Sequence, residues 1–292
     1  MIEPRHAATA LLITLSILLT CAGRLSAQNE QKAATAAASA HPNCSRSAFR
    51  VVVDVGHTLD VPGAISAHGI PEYTFNLQLA QDVQQSLVDA GFDKTVLLIT
   101  NKPPPNGVVE RAVRANRLPA DLFIAIHHDS VPDNLLETWE YEGQAQHYND
   151  SFPGYAIFIS NDNADRAGSL LFGRLLGKAL QARGLQYTPH YTLPLMGHRR
   201  RELVDADAGV YRYDQLIVLR MTRMPAVLLE AGSIINRQEE LDLATKERRL
   251  AISGAIAAAV EDFCAARAHP KAERIVKHPP TPLRALPGTV AR

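Results

Sequence analysis

The sequence predicts a single α/β domain, with a central twisted mixed sheet flanked by helices on both faces. Two apolar runs and the segments between them carry that expectation. Val51-Val52-Val53-Asp54-Val55 places β-branched residues on both parities, as a strand covered on two sides requires. Asp121-Leu122-Phe123-Ile124-Ala125-Ile126 repeats the pattern, and amphipathic stretches with four-residue apolar spacing lie between and after such runs. A chain of 292 residues, 46% hydrophobic, buries a core without staples. Its 30 Lys and Arg balance 30 Asp and Glu, so no strong field argues for nucleic acid or an anionic membrane.

The first segment reads as an address. Arg5 and His6 precede the apolar run Ala8 to Thr20, and Leu25-Ser26-Ala27 ends the stretch with small residues, the layout of a secretory signal spanning 1–27. The apolar run is short for a bilayer, so no stable span is expected after cleavage, and the chain is placed in the periplasm or outside. Cys21 offers a lipoprotein alternative in the poor context Leu19-Thr20. Residues 28–46 read as a flexible linker, 47–267 as the folded domain and 268–292 as a disordered, proline-rich, basic tail. Cys44 and Cys264 flank the domain; in an exported protein the pair invites a disulfide, with two buried thiols as the alternative.

Within the domain, the first strand ends on Gly56 and presents His57 at its carboxyl edge. After a loop to Pro71, Glu72 opens a helix to Ala90, whose Phe75, Leu79, Val83 and Leu87 form one apolar face and whose stop is Gly91. Val96 to Thr100 is a short strand, 101–106 an irregular loop and Val108 to Arg117 a short helix. The run from Asp121 then delivers His127 and His128. Val131 to Pro153 is polar and lacks a core face. Tyr155 to Ser160 is a strand, and Ala164 to Arg183 a helix capped by Asn163, with Leu171, Leu175 and Ala179 inward. Gln186 to Gly209 is irregular. Gln215 to Arg220 and Ala226 to Leu229 read as strands, the second ending at Glu230, and Asn236 caps helical sequence reaching about Ala266.

His57, Glu72, His127 and Glu230 thus emerge from edges of one sheet. Two imidazoles and a carboxylate suit a catalytic zinc with an open position, and a second carboxylate suits proton transfer. Spacing alone does not say which glutamate does which.

At these residues the chain resembles the zinc-dependent N-acetylmuramoyl-L-alanine amidases, the amidase type 3 family, from about Phe49 to Phe263. Four blocks in order carry the resemblance: Val51 to His57 with Pro62-Gly63-Ala64; Glu72 with Asn76-Leu77 and Leu79-Ala80; Glu110-Arg111, Ala115-Asn116 and Ala120 to His127; and Met224 to Glu230 with Gly232 and Asn236. The resemblance implies one zinc ion held by His57, Glu72 and His127, with Glu230 as general base and acid. It implies hydrolysis of the amide joining N-acetylmuramic acid to L-alanine of peptidoglycan. Arg111 and Asn116 are structural members of the motif. Two departures stand out: Thr58-Leu59 replaces the two glycines usual after the first histidine, and His128-Asp129-Ser130 replaces a small residue and an asparagine. His128 or Asp129 is a candidate partner for the ligands, although a turn role is favoured for Asp129.

Arg199, Arg200 and Arg201 are candidate grips for a carboxylate of the stem peptide. His68, His147, His190 and His198 read as surface residues. The stretch around Trp139, with Glu137 and Glu140, reads as a surface loop; the alternative is a lid displaced by an activator protein. Rival functions are a zinc peptidase or deacylase acting on another wall amide, and a non-catalytic wall-binding regulator.

Overall fold

The computed structural model describes residues 44–102 and 104–268. The expected signal, the linker up to residue 43 and the tail from 269 lie outside the described residues. The central element is β1 (Val51–Val55), buried along its whole length. It pairs in parallel with β2 (Val96–Leu98) on one side and β3 (Leu122–Asp129) on the other. Beyond β3 come β9 (Ala226–Ser233), parallel to it, and then β6 (Ala156–Ile159), antiparallel to β9. β8 (Val210–Arg212) runs parallel to β6, and β7 (Glu202–Asp205) closes the edge antiparallel to β8. The seven strands therefore form one mixed sheet in the order β2-β1-β3-β9-β6-β8-β7.

The two-sided pattern of β1 explains the layering. Val51, Val53 and Val55 join the core under α1 (Glu72–Asp89), α3 (Arg166–Gln181) and α6 (Lys246–Ala268), whereas Val52 points to the opposite core. That second core is covered by α2 (Asn106–Asn116), by the short α4 (Ile217–Met221) and by 3-10 turns carrying Tyr191 and Met196. Phe75, Leu79, Val83 and Leu87 of α1 are all buried, as their spacing predicts. A disulfide joins Cys44, just before β1, to Cys264 in α6, with Cα atoms 5.2 Å apart.

The structure corrects four readings. α3 is capped by Asp165, whose side chain accepts from the Gly168 amide; Asn163 instead donates to the carbonyls of Leu219, Thr222 and Met224. The inward face of α3 is Phe172, Leu176 and Leu180, one residue on from the expected face, and Leu171 is exposed. Gly173 and Gly177 share that face, letting the helix lie against Val210 and the Ala208 backbone; a Cβ on Gly177 would collide with the Ala208 carbonyl, and one on Gly173 would sit tightly against Val210. The segment 215–220 is a turn and α4 rather than a strand, since a short apolar run fits either element. The polar stretch around Trp139 is a hairpin of β4 (Glu137–Tyr141) and β5 (Gln144–Tyr148), separate from the main sheet. Its Glu142-Gly143 turn has both residues at positive φ, the geometry of a two-residue hairpin. Asn236 caps α5 (Arg237–Ala244) as expected, accepting from the amides of Gln238 and Glu239.

Candidate active site

The site is built around the carboxylate of Glu72, the first residue of α1 and almost wholly buried. Its Oε2 lies 2.9 Å from His57 Nε2 and its Oε1 3.1 Å from His127 Nδ1. The same two oxygens accept from the backbone amides of Ala64 at 3.2 Å and His128 at 3.3 Å, and from Asn76 Nδ2 at 3.0 Å. Asn76 sits one helical turn after Glu72 and also donates to the Gly56 carbonyl. Its Oδ1 accepts from His128 Nδ1 at 2.7 Å, so the buried His128 ring supports Glu72 through Asn76. Burial drives His128 down to about 3, leaving it neutral. Burial alone would raise Glu72, but hydrogen bonds and charge from His127 and His57 hold it well below the usual carboxylate range. His127 is itself lowered, mainly by burial, with Glu72 opposing that shift.

His57 leaves β1 with φ of 64°, a left-handed conformation unusual for a side-chain-bearing residue. Arg111 of α2 holds it there: its guanidinium bonds to the carbonyls of Val55 and His57 and pairs with buried Asp54 at 2.8 Å. Burial outweighs that pairing and lifts Asp54 to about 6. After the histidine, Thr58 turns inward and its hydroxyl accepts from the Val61 amide, while Leu59 points into solvent. This chain therefore closes its loop without paired glycines. The glycines it keeps lie against the ligands: a Cβ on Gly56 would collide with the His127 ring, and one on Gly63 with Glu72 and His57.

Among the described residues, His57, Glu72 and His127 offer ligand atoms within 4.8 Å of one another. Two imidazoles and a carboxylate, brought together from three separate stretches of the chain, are the donor set of a divalent metal with an open position. The residues present thus fit such an ion.

Glu230 lies opposite His127 in the β3–β9 ladder, inside the strand rather than at its end. Its Oε2 is buried with no hydrogen-bond partner among the described residues. Burial and the neighbouring charges of Asp129 and Glu72 raise it well above the usual carboxylate range, with Arg199 opposing them. All four residues line one cavity of about 530 Å3, together with Arg199 and Arg201. Arg200 is exposed and does not line this cavity.

Two residues were misread from sequence. Asp129 ends β3, buried, where a turn role was favoured; its Oδ1 accepts from the Tyr191 hydroxyl at 2.7 Å and the Ser130 amide at 2.7 Å. Burial lifts it to about 7. His190 is fully buried rather than on the surface, with Nε2 3.6 Å from Asp129 Oδ2. Tyr191 was not singled out at all; it follows Pro189 in a stretch without periodicity, which left no signal. His68 is only partly exposed, bonded to Glu240 at 2.6 Å beneath the hairpin, and Glu137 and Glu140 are exposed on the hairpin away from the cavity lining.

The family model for N-acetylmuramoyl-L-alanine amidase, amidase type 3, matches residues 51–262. The chain belongs to that family. The amidase AmiC of Neisseria meningitidis serogroup B is 26% identical over 237 residues, covering 73% of this chain and 52% of the relative. An N-acetylmuramoyl-L-alanine amidase of Mycobacterium tuberculosis is 24% identical over 204 residues, covering 70% and 73%. The chain spans about half the length of the Neisseria relative. In fold, it resembles the N-acetylmuramyl-L-alanine amidase of Mycobacterium smegmatis, with TM-score 0.57 and 18% identity over 75% of this chain and 98% of that one. The corresponding enzyme of Clostridium difficile 630 gives 0.55 and 20% over 74% and 97%. Among the described residues no helix is long and apolar enough to cross a membrane.

Proposed function

We propose that this family member is a zinc-dependent N-acetylmuramoyl-L-alanine amidase, hydrolysing the amide between N-acetylmuramic acid and the L-alanine of the peptidoglycan stem peptide. The observation that carries the reading is the convergence of His57, Glu72 and His127 beside a buried, unpartnered carboxyl at Glu230. His57, Glu72 and His127 hold the ion, with Asn76 and Arg111 fixing the orientation of Glu72 and His57. Zinc bound there supplies Lewis-acid polarisation of the scissile carbonyl and lowers the pKa of water towards about 7. Glu230 accepts the proton of the attacking water and passes it to the departing alanine nitrogen, a role that suits a buried carboxyl raised above the usual carboxylate range. Arginines lining the cavity draw in the anionic stem peptide. Residues 1–27 are proposed as the signal that exports the protein to its substrate.

Digestion of purified sacculi tests the reading. An amidase releases stem peptides with a free L-alanine amine, visible by mass spectrometry. Release of fragments cut at another amide, or no release with zinc supplied, overturns it.

A further inference from the structure

Arg201 lies where two cavities meet. It and Tyr213 line both the cavity of the metal-site residues and a neighbouring one of about 460 Å3, which Arg200 and Arg212 also bound. The Arg201 guanidinium carbon stands 3.5 Å over the Tyr213 ring, which fixes its plane. One of its terminal nitrogens donates to the carbonyls of His198 and Arg200 at 2.8 Å each. Its Nε is buried with no acceptor among the described residues, so the protein leaves part of this guanidinium's donor set unanswered.

Nearby acids do not answer it. Glu202 and Asp214, the carboxylates of the second cavity, are both engaged by Arg212, at 2.9 and 2.6 Å. With Arg200 also present, that cavity has cationic groups in excess of its acids. Arg199 differs, because its charge acts on Asp129 and Glu230 inside the first cavity and its Nη1 donates to the Ser130 carbonyl.

We propose that Arg201 is the residue that recognises a carboxylate of the substrate's peptide, holding it as the chain passes from the metal-site cavity into the second one. The proposal rests on the amidase reading. A stacked guanidinium presents its N–H groups in one fixed plane, so it distinguishes a carboxylate from the carboxamide of the same shape, which offers only one acceptor oxygen and no charge.

The test uses two soluble muramyl dipeptides with zinc present, identical except that the second residue carries a free α-carboxylate in one and its amide in the other. The wild-type protein should cleave the free acid with a KM about tenfold lower than the amide, the scale of one charge-assisted hydrogen bond. Arg201→Gln should raise the KM for the acid to the level of the amide, and Arg201→Lys, which keeps the charge but not the fork, should retain part of the preference. Equal cleavage of both probes by the wild type, or a preference undiminished in Arg201→Gln, overturns the proposal. Should Arg201→Gln not fold, a wild-type preference in Arg201→Lys does the same. Cleavage of neither probe overturns the amidase reading itself, and this proposal with it.

Discussion

Gly56→Ala isolates the steric demand of the metal site. Gly56 is not among the glycines held at positive φ, so alanine meets no backbone penalty there. A Cβ would stand 2.5 Å from His127 Nε2 and 2.6 Å from Cδ2 and Cε1, where ordinary contact begins at 3.4 Å. The ring must therefore retreat by roughly 0.9 Å, several times the ~0.2 Å that metal–ligand distances tolerate. Losing one of three protein ligands should weaken zinc binding by at least the ~100-fold that disturbing a ligand's supporting partner costs. That factor corresponds to about 2.7 kcal/mol of stabilisation by bound metal. For a domain of this size it removes about 5–11 °C of the zinc-induced rise in Tm. Chelator competition and calorimetry with and without zinc measure both quantities. A Gly56→Ala protein with wild-type zinc affinity and an undiminished rise in Tm would refute the steric argument.

Glu230→Gln should lower kcat by about 10²–10⁴-fold while zinc affinity, read by the same competition, stays at the wild-type level. In metal-free protein, Asp129 adds a pH dependence. Its folded value is raised from 3.8 to about 7, so its contribution to stability is fully present below 3.8 and is lost as pH rises through about 7. Asp129→Asn should flatten the fall in urea stability between pH 5 and 8; an unchanged fall refutes the assignment. Replacing Cys44 and Cys264 by serine opens a link between residues 220 apart in sequence, and should cost about 2–5 kcal/mol in chemical denaturation.

Much of the fold was legible because burial on both faces leaves a plain mark. Val51 to Val55 and Leu122 to Ile126 could only be covered strands, and the spacing of Phe75, Leu79, Val83 and Leu87 fixed the inward side of α1. For α3 two adjacent apolar rows compete, and the row that faces the sheet is Phe172, Leu176 and Leu180, beside Gly173 and Gly177, which let the helix come close. The hairpin of β4 and β5 escaped because its inner face is short and only half-buried: Trp139 and Tyr141 alternate with exposed Thr138 and Glu140, but they pack on His68 rather than on an apolar core. His57, Glu72, His127 and Glu230 were legible as a group from residue type and the family blocks, and the fold gathers them around one cavity. Asp129, His190 and Tyr191 were not, since only the folded chain brings the 3-10 turn at residue 190 against the end of β3. Nothing in a local stretch distinguishes a loop histidine in water from one sealed beneath a strand.

His127 and Glu230 share a single rung of the ladder between β3 and β9. Their backbones are therefore about 4.8 Å apart by the geometry of any sheet, whatever rotamers their side chains adopt. The distance between the proposed proton carrier and the proposed metal ligand is thus inherited from strand alignment. A slip of one residue would turn one of them to the far face, so a misaligned chain has no weakened form of the site to fall back on.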